Sequence, residues 1–275
     1  MRILHAGSFR LSLDRPLIMG IVNTTPDSFS DGGKFTTAPL AIEHALGLAR
    51  LGADILDVGG ESTRPGALPV PAGEEMRRVL PVIEALAKAG LIVSVDTKKP
   101  EVMRAALEAG AVMVNDVMAL RMPGALEVVA ATNAAVCLMH MQGEPQTMQQ
   151  APHYGDVVNE VVRFLGDRAE ACIAAGIEQD RIVVDPGFGF GKSLAHNLAL
   201  LKNIGALTAL DMPVIVGMSR KSMLGALTAR GVDEREFAGV AAHLMAVEQG
   251  ARLVRVHDVA AMHDVLAVWN AVKGL

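Results

Sequence analysis

The sequence is short of aromatic residues, cysteines and net charge. Of its 275 residues 3% are aromatic, two are cysteines, Cys137 and Cys172, and the formal net charge is −5. Two cysteines are too few for a disulfide framework, so we expect a cytoplasmic protein whose cysteines are core residues. The mildly acidic balance argues against nucleic acid as the main partner.

Long apolar runs are also missing. The longest are interrupted before the roughly 18 residues that a membrane span needs, and residues 1–15 contain no long apolar stretch typical of a signal peptide. We therefore expect no membrane partner. Disorder is excluded because 51% of the chain is hydrophobic. The 27 glycines and 13 prolines follow no repeating period, which excludes collagen-like and low-complexity chains.

Short β-rich apolar runs alternate with segments of helical periodicity. Near-continuous apolar runs are typical of parallel strands buried on both faces, and eight of them are present, at 17–22, 54–60, 91–96, 111–116, 134–140, 181–187, 213–219 and 251–258. Helical periodicity follows at 39–52, 73–90, 100–110 and 237–250, where Gly90, Gly110 and Gly250 fit C-caps.

Eight strand–helix units in a chain of this size predict an α/β fold, a (β/α)₈ TIM barrel. We expect a single domain over residues 1–275, with a short β-hairpin within residues 1–13 covering the bottom of the barrel. A doubly wound open sheet is the alternative.

Polar residues follow all eight predicted strands, where barrel enzymes build their sites. They are Asn23; Glu61, Ser62, Thr63 and Arg64; Asp96; Asn115 and Asp116; His140; Asp185; Ser219, Arg220, Lys221 and Ser222; and Arg255, His257 and Asp258. Asp96, Asn115 and Asp185 each end an apolar strand, where a single such residue is typical of a helix N-cap. Three of them facing inward favour a ligand rich in N–H donors, such as an aminopyrimidine-type heterocycle.

The cationic residues of the last two strands indicate an anion site. Arg255 and His257 alternate on one strand and so point the same way, and Lys221 follows the strand before. A solvated rim explains any one of them, but together with Asn23 they favour a bound phosphate. Asn23 could also hold Mg²⁺ in a site completed by water and ligand phosphates.

Two polar loops, 24–37 and 61–75, are longer than tight turns and are either lids or mobile surface loops. Phe29, an aromatic residue in the first loop, favours a lid that contacts a ring. Segment 185–192 is rich in glycine but matches no nucleotide fingerprint, and its Phe188 and Phe190 could flank an aromatic ligand. For His140 the sequence leaves a structural hydrogen bond and a ligand role open.

Six segments, in register along nearly the whole chain, resemble the dihydropteroate synthase family. They are GIVNTTPDSFSDGG (20–33), DVGGESTRPGA (57–67), SVDTKKPEVMRAALEAGAVMVNDV (94–117), DPGFGFGKS (185–193), GMSRKSML (217–224) and RVHDV (255–259). Thr24 is a departure, since the family more often has Val there.

The resemblance implies a TIM-barrel transferase of folate biosynthesis, a homodimer and sulfonamide target with Mg²⁺ as cofactor. Its reaction would join 6-hydroxymethyl-7,8-dihydropterin diphosphate to 4-aminobenzoate, giving 7,8-dihydropteroate and diphosphate. Diphosphate loss would leave a cationic pterin methylene, which the aniline nitrogen attacks.

The resemblance also implies roles for individual residues. The catalytic residues would be Asp31, Arg64 and Lys221. The pterin would meet Asp96, Asn115, Asp185, Lys221 and Arg255; the diphosphate Asn23, Arg255 and His257; the metal Asn23; and 4-aminobenzoate Phe29, Thr63, Arg64, Pro65, Phe190, Lys221 and Ser222.

Two other hypotheses compete with a synthase. A pterin-binding methyltransferase would need a cobalamin-protein docking face and no diphosphate site, whereas the SRKS and RVHD segments with Asn23 favour the synthase. A catalytically dead homologue would be expected to lose loop residues, and Phe29, Asp31, Thr63 and Arg64 are all present.

Overall fold

An eight-stranded parallel sheet closes on itself in the computed structural model of the chain, which describes residues 2–25, 37–62, 67–143 and 147–275. The strands are β1 (Ile3–Ala6), β2 (Phe9–Ser12), β3 (Leu17–Asn23), β4 (Ile55–Gly59), β5 (Val93–Asp96), β6 (Met113–Asp116), β7 (Ala135–Met139), β8 (Ile182–Asp185), β9 (Ile215–Val216) and β10 (Leu253–Val256). The order in the sheet is β8-β7-β6-β5-β4-β3-β10-β9.

The two ends of this sheet meet. A parallel bridge pairs Val184 with Val214, and the Val184 N–H donates to the Pro213 carbonyl at 3.0 Å. Since β8 and β9 are thereby neighbours, the sheet forms a barrel. The TIM-barrel prediction is confirmed, and the open doubly wound alternative is wrong.

Helices alternate with the strands, as the periodicity predicted. The described α-helices are α1 (Thr37–Arg50), α2 (Ala72–Lys88), α3 (Pro100–Glu108), α4 (Ala125–Ala130), α5 (Val157–Ala174), α6 (Leu194–Lys202), α7 (Ser222–Thr228), α8 (Glu236–Glu248) and α9 (Val259–Lys273). Gly90, Gly110 and Gly250 follow their helices with φ of 76°, 108° and 105°, the left-handed conformation of a C-cap glycine. No helix within the described ranges is both long and apolar enough to cross a bilayer.

The antiparallel pair β1–β2 covers one end of the barrel. Leu4 and Ala6 are fully buried in one apolar cluster with strand residues such as Met19 and Met113, and the Gly7 N–H donates to the Asn133 carbonyl at 2.8 Å. The predicted hairpin and its position are therefore confirmed. It seals the end at which the barrel strands begin.

Alternation along each strand divides the barrel interior into an apolar bottom and a polar top. Side chains two residues apart share a face of a strand. On four strands an inward apolar residue near the strand start is followed, two positions later, by a polar residue at the other end of the barrel, which we call the barrel mouth. The pairs are Ile55 and Asp57, Met113 and Asn115, Val183 and Asp185, and Leu253 and Arg255.

Candidate active site

Arg255 lies between two carboxylates at the barrel mouth. Its Nε donates to Asp57 Oδ2 at 2.6 Å, and its Nη2 donates to Asp96 Oδ2 at 2.7 Å. Asn115 Nδ2 donates to the same Asp57 oxygen at 2.9 Å. Although burial works to lower it, Asp57 and Asp96 raise the pKa of Arg255 above its usual range. Residues from β4, β5, β6 and β10 are thereby joined in one network.

Asp96 is poised to titrate near neutral pH. Burial raises the pKa of this carboxyl to about 7; Arg255 opposes the shift, and the nearby Asp57 carboxylate adds to it. A carboxyl group whose pKa lies near the working pH can accept or donate a hydrogen bond as a ligand demands.

Asp185 and Lys221 are opposite charges of the mouth that influence each other electrostatically. The Gly187 N–H donates to Asp185 Oδ1 at 2.7 Å. Burial raises the pKa of Asp185, and Lys221 opposes this shift. Burial likewise lowers the pKa of Lys221 to about 8 against the attraction of Asp185.

The Lys221 side chain also contacts the segment after β8. Its Nζ donates to the Phe188 carbonyl and lies 4.4 Å from the centroid of the Phe190 ring. A cation over an aromatic face is favourable, and it leaves the ammonium beside a surface on which a second ring can pack. Ser222, the next residue, begins α7.

His257 and Asn23 complete the described rim. His257 Nδ1 lies 3.0 Å from Ser219 Oγ, so the segments after β9 and β10 are joined. Asn23 ends β3 half-buried, opposite Gly59, which is itself opposite Asp96. Gly59 has no side chain, and a Cβ placed there would lie 3.6 Å from Asp96 Oδ2, so the Asp96 carboxylate packs directly against the Gly59 backbone.

Glu61 is one of the polar residues predicted after the strands. Its side chain hydrogen-bonds to the backbone nine residues further along the chain. Its Oε2 accepts from the Val70 N–H at 2.9 Å and pairs with Lys99 Nζ, which also contacts the buried Glu75. Lys98 Nζ lies 3.4 Å from Glu61 Oε1. This carboxylate is therefore engaged in tying residue 61 to residue 70.

Five predicted site residues, Phe29, Asp31, Thr63, Arg64 and Pro65, lie outside the described residues. Of the predicted 4-aminobenzoate set the structure describes Phe190, Lys221 and Ser222, and it brings the first two into contact. Asp96, Asn115, Asp185, Lys221 and Arg255 are brought together at the mouth as expected.

Asp57 was missed by the sequence analysis, although it is fully buried and contacts both Arg255 and Asn115. Asp57 lies within β4, whereas the predicted site residues were those that follow the strands. The available signal was a carboxylate two positions after Ile55 in an otherwise apolar run.

The two cysteines are core residues, as expected. Both are free and buried, and burial raises the pKa of Cys137 well above its usual range and that of Cys172 to about 11. The thiols therefore stay protonated at physiological pH. Neither has the thiolate character that a nucleophile needs.

Comparison with known proteins gives one consistent result. Residues 19–257 match the family model described as pterin binding enzyme. The dihydropteroate synthase of Escherichia coli K12 is 48% identical over 269 residues, covering 98% of this chain and 95% of that protein. That of Neisseria meningitidis serogroup B is 51% identical, covering 97% and 96%.

Solved structures agree. A Xanthomonas albilineans dihydropteroate synthase with 4-aminobenzoic acid has a TM-score of 0.92 and 57% identity, covering 97% of this chain and 96% of that chain. The same species' enzyme in complex with 7,8-dihydropteroate has a TM-score of 0.91 and 53% identity, covering 99% of both. A Yersinia pestis dihydropteroate synthase in a sulfonamide drug complex has a TM-score of 0.94 and 46% identity, covering 99% and 100%.

Proposed function

Because the chain belongs to the family of pterin binding enzymes, we propose that it is a transferase with dihydropteroate synthase activity. It condenses 6-hydroxymethyl-7,8-dihydropterin diphosphate with 4-aminobenzoate to give 7,8-dihydropteroate and diphosphate. The observation that carries this function is the convergence of Asp96, Asn115, Asp185, Lys221 and Arg255 on one barrel mouth. The direct test is the mass of the product formed when the purified protein meets both substrates.

Pterin recognition follows from the hydrogen-bonding character of the mouth. An aminopyrimidine ring presents amino and ring N–H donors beside a carbonyl acceptor. Asp96 and Asp185 supply carboxylate acceptors, whereas Asn115 and Lys221 supply N–H donors. Arg255, held by Asp57 and Asp96, offers a flat guanidinium on which one face of the ring can stack.

Departure of diphosphate requires positive charge near the leaving oxygens. Arg255 and His257 alternate on one face of β10 and its extension, and we assign them to the diphosphate. Asn23 is the proposed Mg²⁺ ligand, since it ends β3 half-buried at the barrel mouth and Mg²⁺ takes few ligands from protein. When bound, the ion would neutralise charge on the departing diphosphate.

Among the described residues, one group of histidine and acidic side chains lies close enough together to hold a metal ion, and it is not at the barrel mouth. His5, Glu178 and Asp180 have such spacing, but they belong to the hairpin end of the barrel. Asn23 therefore remains the residue that we assign to the metal.

The second substrate needs a pocket rather than a nucleophile. The methylene C–O bond breaks as diphosphate leaves with the electron pair, the aniline nitrogen forms the new C–N bond to the cationic methylene, and the resulting ammonium loses one proton to solvent. We propose Asp31, Arg64 and Lys221 as the catalytic residues. Of these three, Lys221 lies in the part of the chain that the structure describes.

The 4-aminobenzoate pocket is proposed to consist of Phe29, Thr63, Arg64, Pro65, Phe190, Lys221 and Ser222. Lys221 already lies over the ring of Phe190, where a carboxylate-bearing aromatic ligand would gain both a charge partner and a packing surface. Sulfonamides would bind the same pocket, and the Yersinia pestis relative in a sulfonamide drug complex supports this.

A homodimer is the proposed assembly. Exposed apolar side chains lie on the outer helices, with Phe237 85% and Met245 56% exposed on α8 and Val268 67% and Val272 79% exposed on α9. Trp269 Nε1 donates to Glu248, so the two helices are in contact. Apolar surface of this kind is typical of an interface between protein chains. The cytoplasm is the proposed compartment, supported by the two free cysteines.

A further inference from the structure

A buried lysine holds the glycine-rich loop after β8, residues 186–191. Lys192 is 3% exposed. Its Nζ donates to the carbonyls of Gly187 at 2.9 Å, Phe190 at 3.1 Å and His140 at 3.3 Å. The same nitrogen lies 2.9 Å from His140 Nδ1.

The imidazole of His140 fits this contact in either protonation state of the amine. Burial lowers the pKa of His140 to about 3, so the ring is neutral and one nitrogen accepts while the other donates. An ammonium at Lys192 has three N–H groups for these four acceptors, so it donates to Nδ1 while two carbonyls share one N–H; a neutral amine accepts from an Nδ1–H. Burial lowers the pKa of Lys192 well below its usual range, and the contact survives loss of the proton.

The backbone of the glycine-rich loop approaches the residues after β7 so closely that only glycine fits at two positions. Gly187 has φ of 67°, and a Cβ there would lie 1.9 Å from the His140 carbonyl oxygen. Gly191 has φ of 61°, and its Cβ would lie 2.3 Å from the Gln142 carbonyl oxygen. The loop therefore packs backbone to backbone against the residues after β7.

The opposite side of the glycine-rich loop faces the barrel mouth. The Gly187 N–H donates to Asp185, the Phe188 carbonyl accepts from Lys221, and the Phe190 ring lies under the Lys221 ammonium. Two of the three carbonyls held by Lys192 belong to Gly187 and Phe190. One buried amine thus fixes the backbone that orients the Asp185 and Lys221 side chains.

We propose that Lys192 is a positioning residue for both substrates, acting through the glycine-rich loop, with His140 as its partner. The proposal deepens the proposed function and rests on it. A buried carbonyl without a donor is costly, so removing the amine forces the loop to move until its carbonyls find other donors. That movement displaces the Asp185 contact and the Phe190 ring together.

The test compares Lys192→Met, which keeps the length of the side chain but has no donor, with the wild type. The matched control is Lys202→Met, which removes an exposed lysine at the end of α6. Calorimetry with 6-hydroxymethylpterin and steady-state kinetics are run well below the melting temperature of each protein. We expect the Kd of the pterin and the KM for 4-aminobenzoate each to rise at least tenfold in Lys192→Met and to stay within twofold in Lys202→Met.

Unchanged Kd and KM in a folded Lys192→Met, with only a lower Tm, would make Lys192 a purely structural residue and overturn the proposal. If Lys192→Met does not fold, His140→Leu decides, because it removes Nδ1 and leaves the backbone carbonyl. We expect threefold to tenfold weaker pterin binding and faster amide hydrogen exchange in residues 186–191; wild-type values in both overturn the proposal. A wild type that makes no dihydropteroate would instead refute the proposed function.

Discussion

The barrel mouth brings several buried or half-buried charged side chains together. Asp57 is fully buried and Asp185 nearly so, and Asp96 is half-buried; Arg255 and Lys221 are the cations beside them. Removing carboxylates from water costs free energy that pairing recovers only in part. Carboxylate oxygens held in this way can accept hydrogen bonds from a ligand that brings its own N–H donors.

The variant Asp185→Asn tests whether this carboxylate accepts a hydrogen bond from the pterin. The amide replaces one acceptor with a donor, so a pterin N–H facing it loses its partner at a cost of roughly 1–3 kcal/mol. Calorimetry with 6-hydroxymethylpterin should therefore show binding that is roughly 5- to 150-fold weaker, without a lower Tm. Asp264→Asn, on the exposed face of α9, is the control. Equal affinity in both variants would remove Asp185 from the site.

The residues that the sequence could reveal were those at strand ends. Asp96, Asn115 and Asp185 each close an apolar run, and parallel strands bring such ends together. Asp57 and Lys192 were not recognised, because one lies within a strand and the other reaches back under its own loop. Their roles depend on contacts with residues far along the chain, such as Arg255 and His140, which no local pattern records.

The strands and helices were largely predictable, because apolar runs and helical periodicity in the sequence indicate which residues are buried. The six-residue α4 is too short for a clear period. The glycine-rich loop was unpredictable for another reason. Its shape is set by donors from Lys192 and Lys221 rather than by its own composition.

Helix α8 contributes a buried histidine to the end of β9. His243 Nδ1 lies 2.7 Å from the Gly239 carbonyl, and its Nε2 accepts from the Met218 N–H at 3.1 Å. These contacts require a neutral ring. Burial lowers the pKa of His243 to about 4.

A folded-state pKa below the unfolded value makes the folded protein bind fewer protons, so stability is lost as pH falls below about 6.5. Between pH 7 and pH 5 this residue should contribute a loss of about 2 kcal/mol in the free energy of unfolding. Urea unfolding at both pH values should show a smaller loss in His243→Gln, whose side chain does not titrate. The same loss in both proteins would contradict this assignment.

We propose that residues between Asn23 and α1 act on the second substrate. Phe29 and Asp31 follow Asn23 in the sequence and precede α1. A loop that acts late contributes to the second substrate and to the transition state rather than to pterin affinity. Phe29→Ala should raise the KM for 4-aminobenzoate several-fold, and Asp31→Ala should lower kcat. Calorimetry should find pterin affinity within twofold of wild type in both; a large loss would place the loop in the pterin pocket.

For the whole molecule, the exposed apolar residues of α8 and α9 predict self-association. Phe237→Glu puts a charge where an interface would have to bury it, so it should shift the protein toward monomer in sedimentation velocity. Glu236→Gln, the neighbouring exposed position, is the control. A wild type that is already monomeric at micromolar concentration would contradict the homodimer.

The reaction itself is tested most directly by the dependence of diphosphate release on 4-aminobenzoate. The purified protein is given 6-hydroxymethyl-7,8-dihydropterin diphosphate and Mg²⁺, with and without 4-aminobenzoate, and diphosphate and 7,8-dihydropteroate are both quantified. We predict that diphosphate is released in amounts equal to the dihydropteroate formed, and at only a background rate when 4-aminobenzoate is left out. Release that is independent of 4-aminobenzoate, or pterin binding with no release at all, would contradict a synthase.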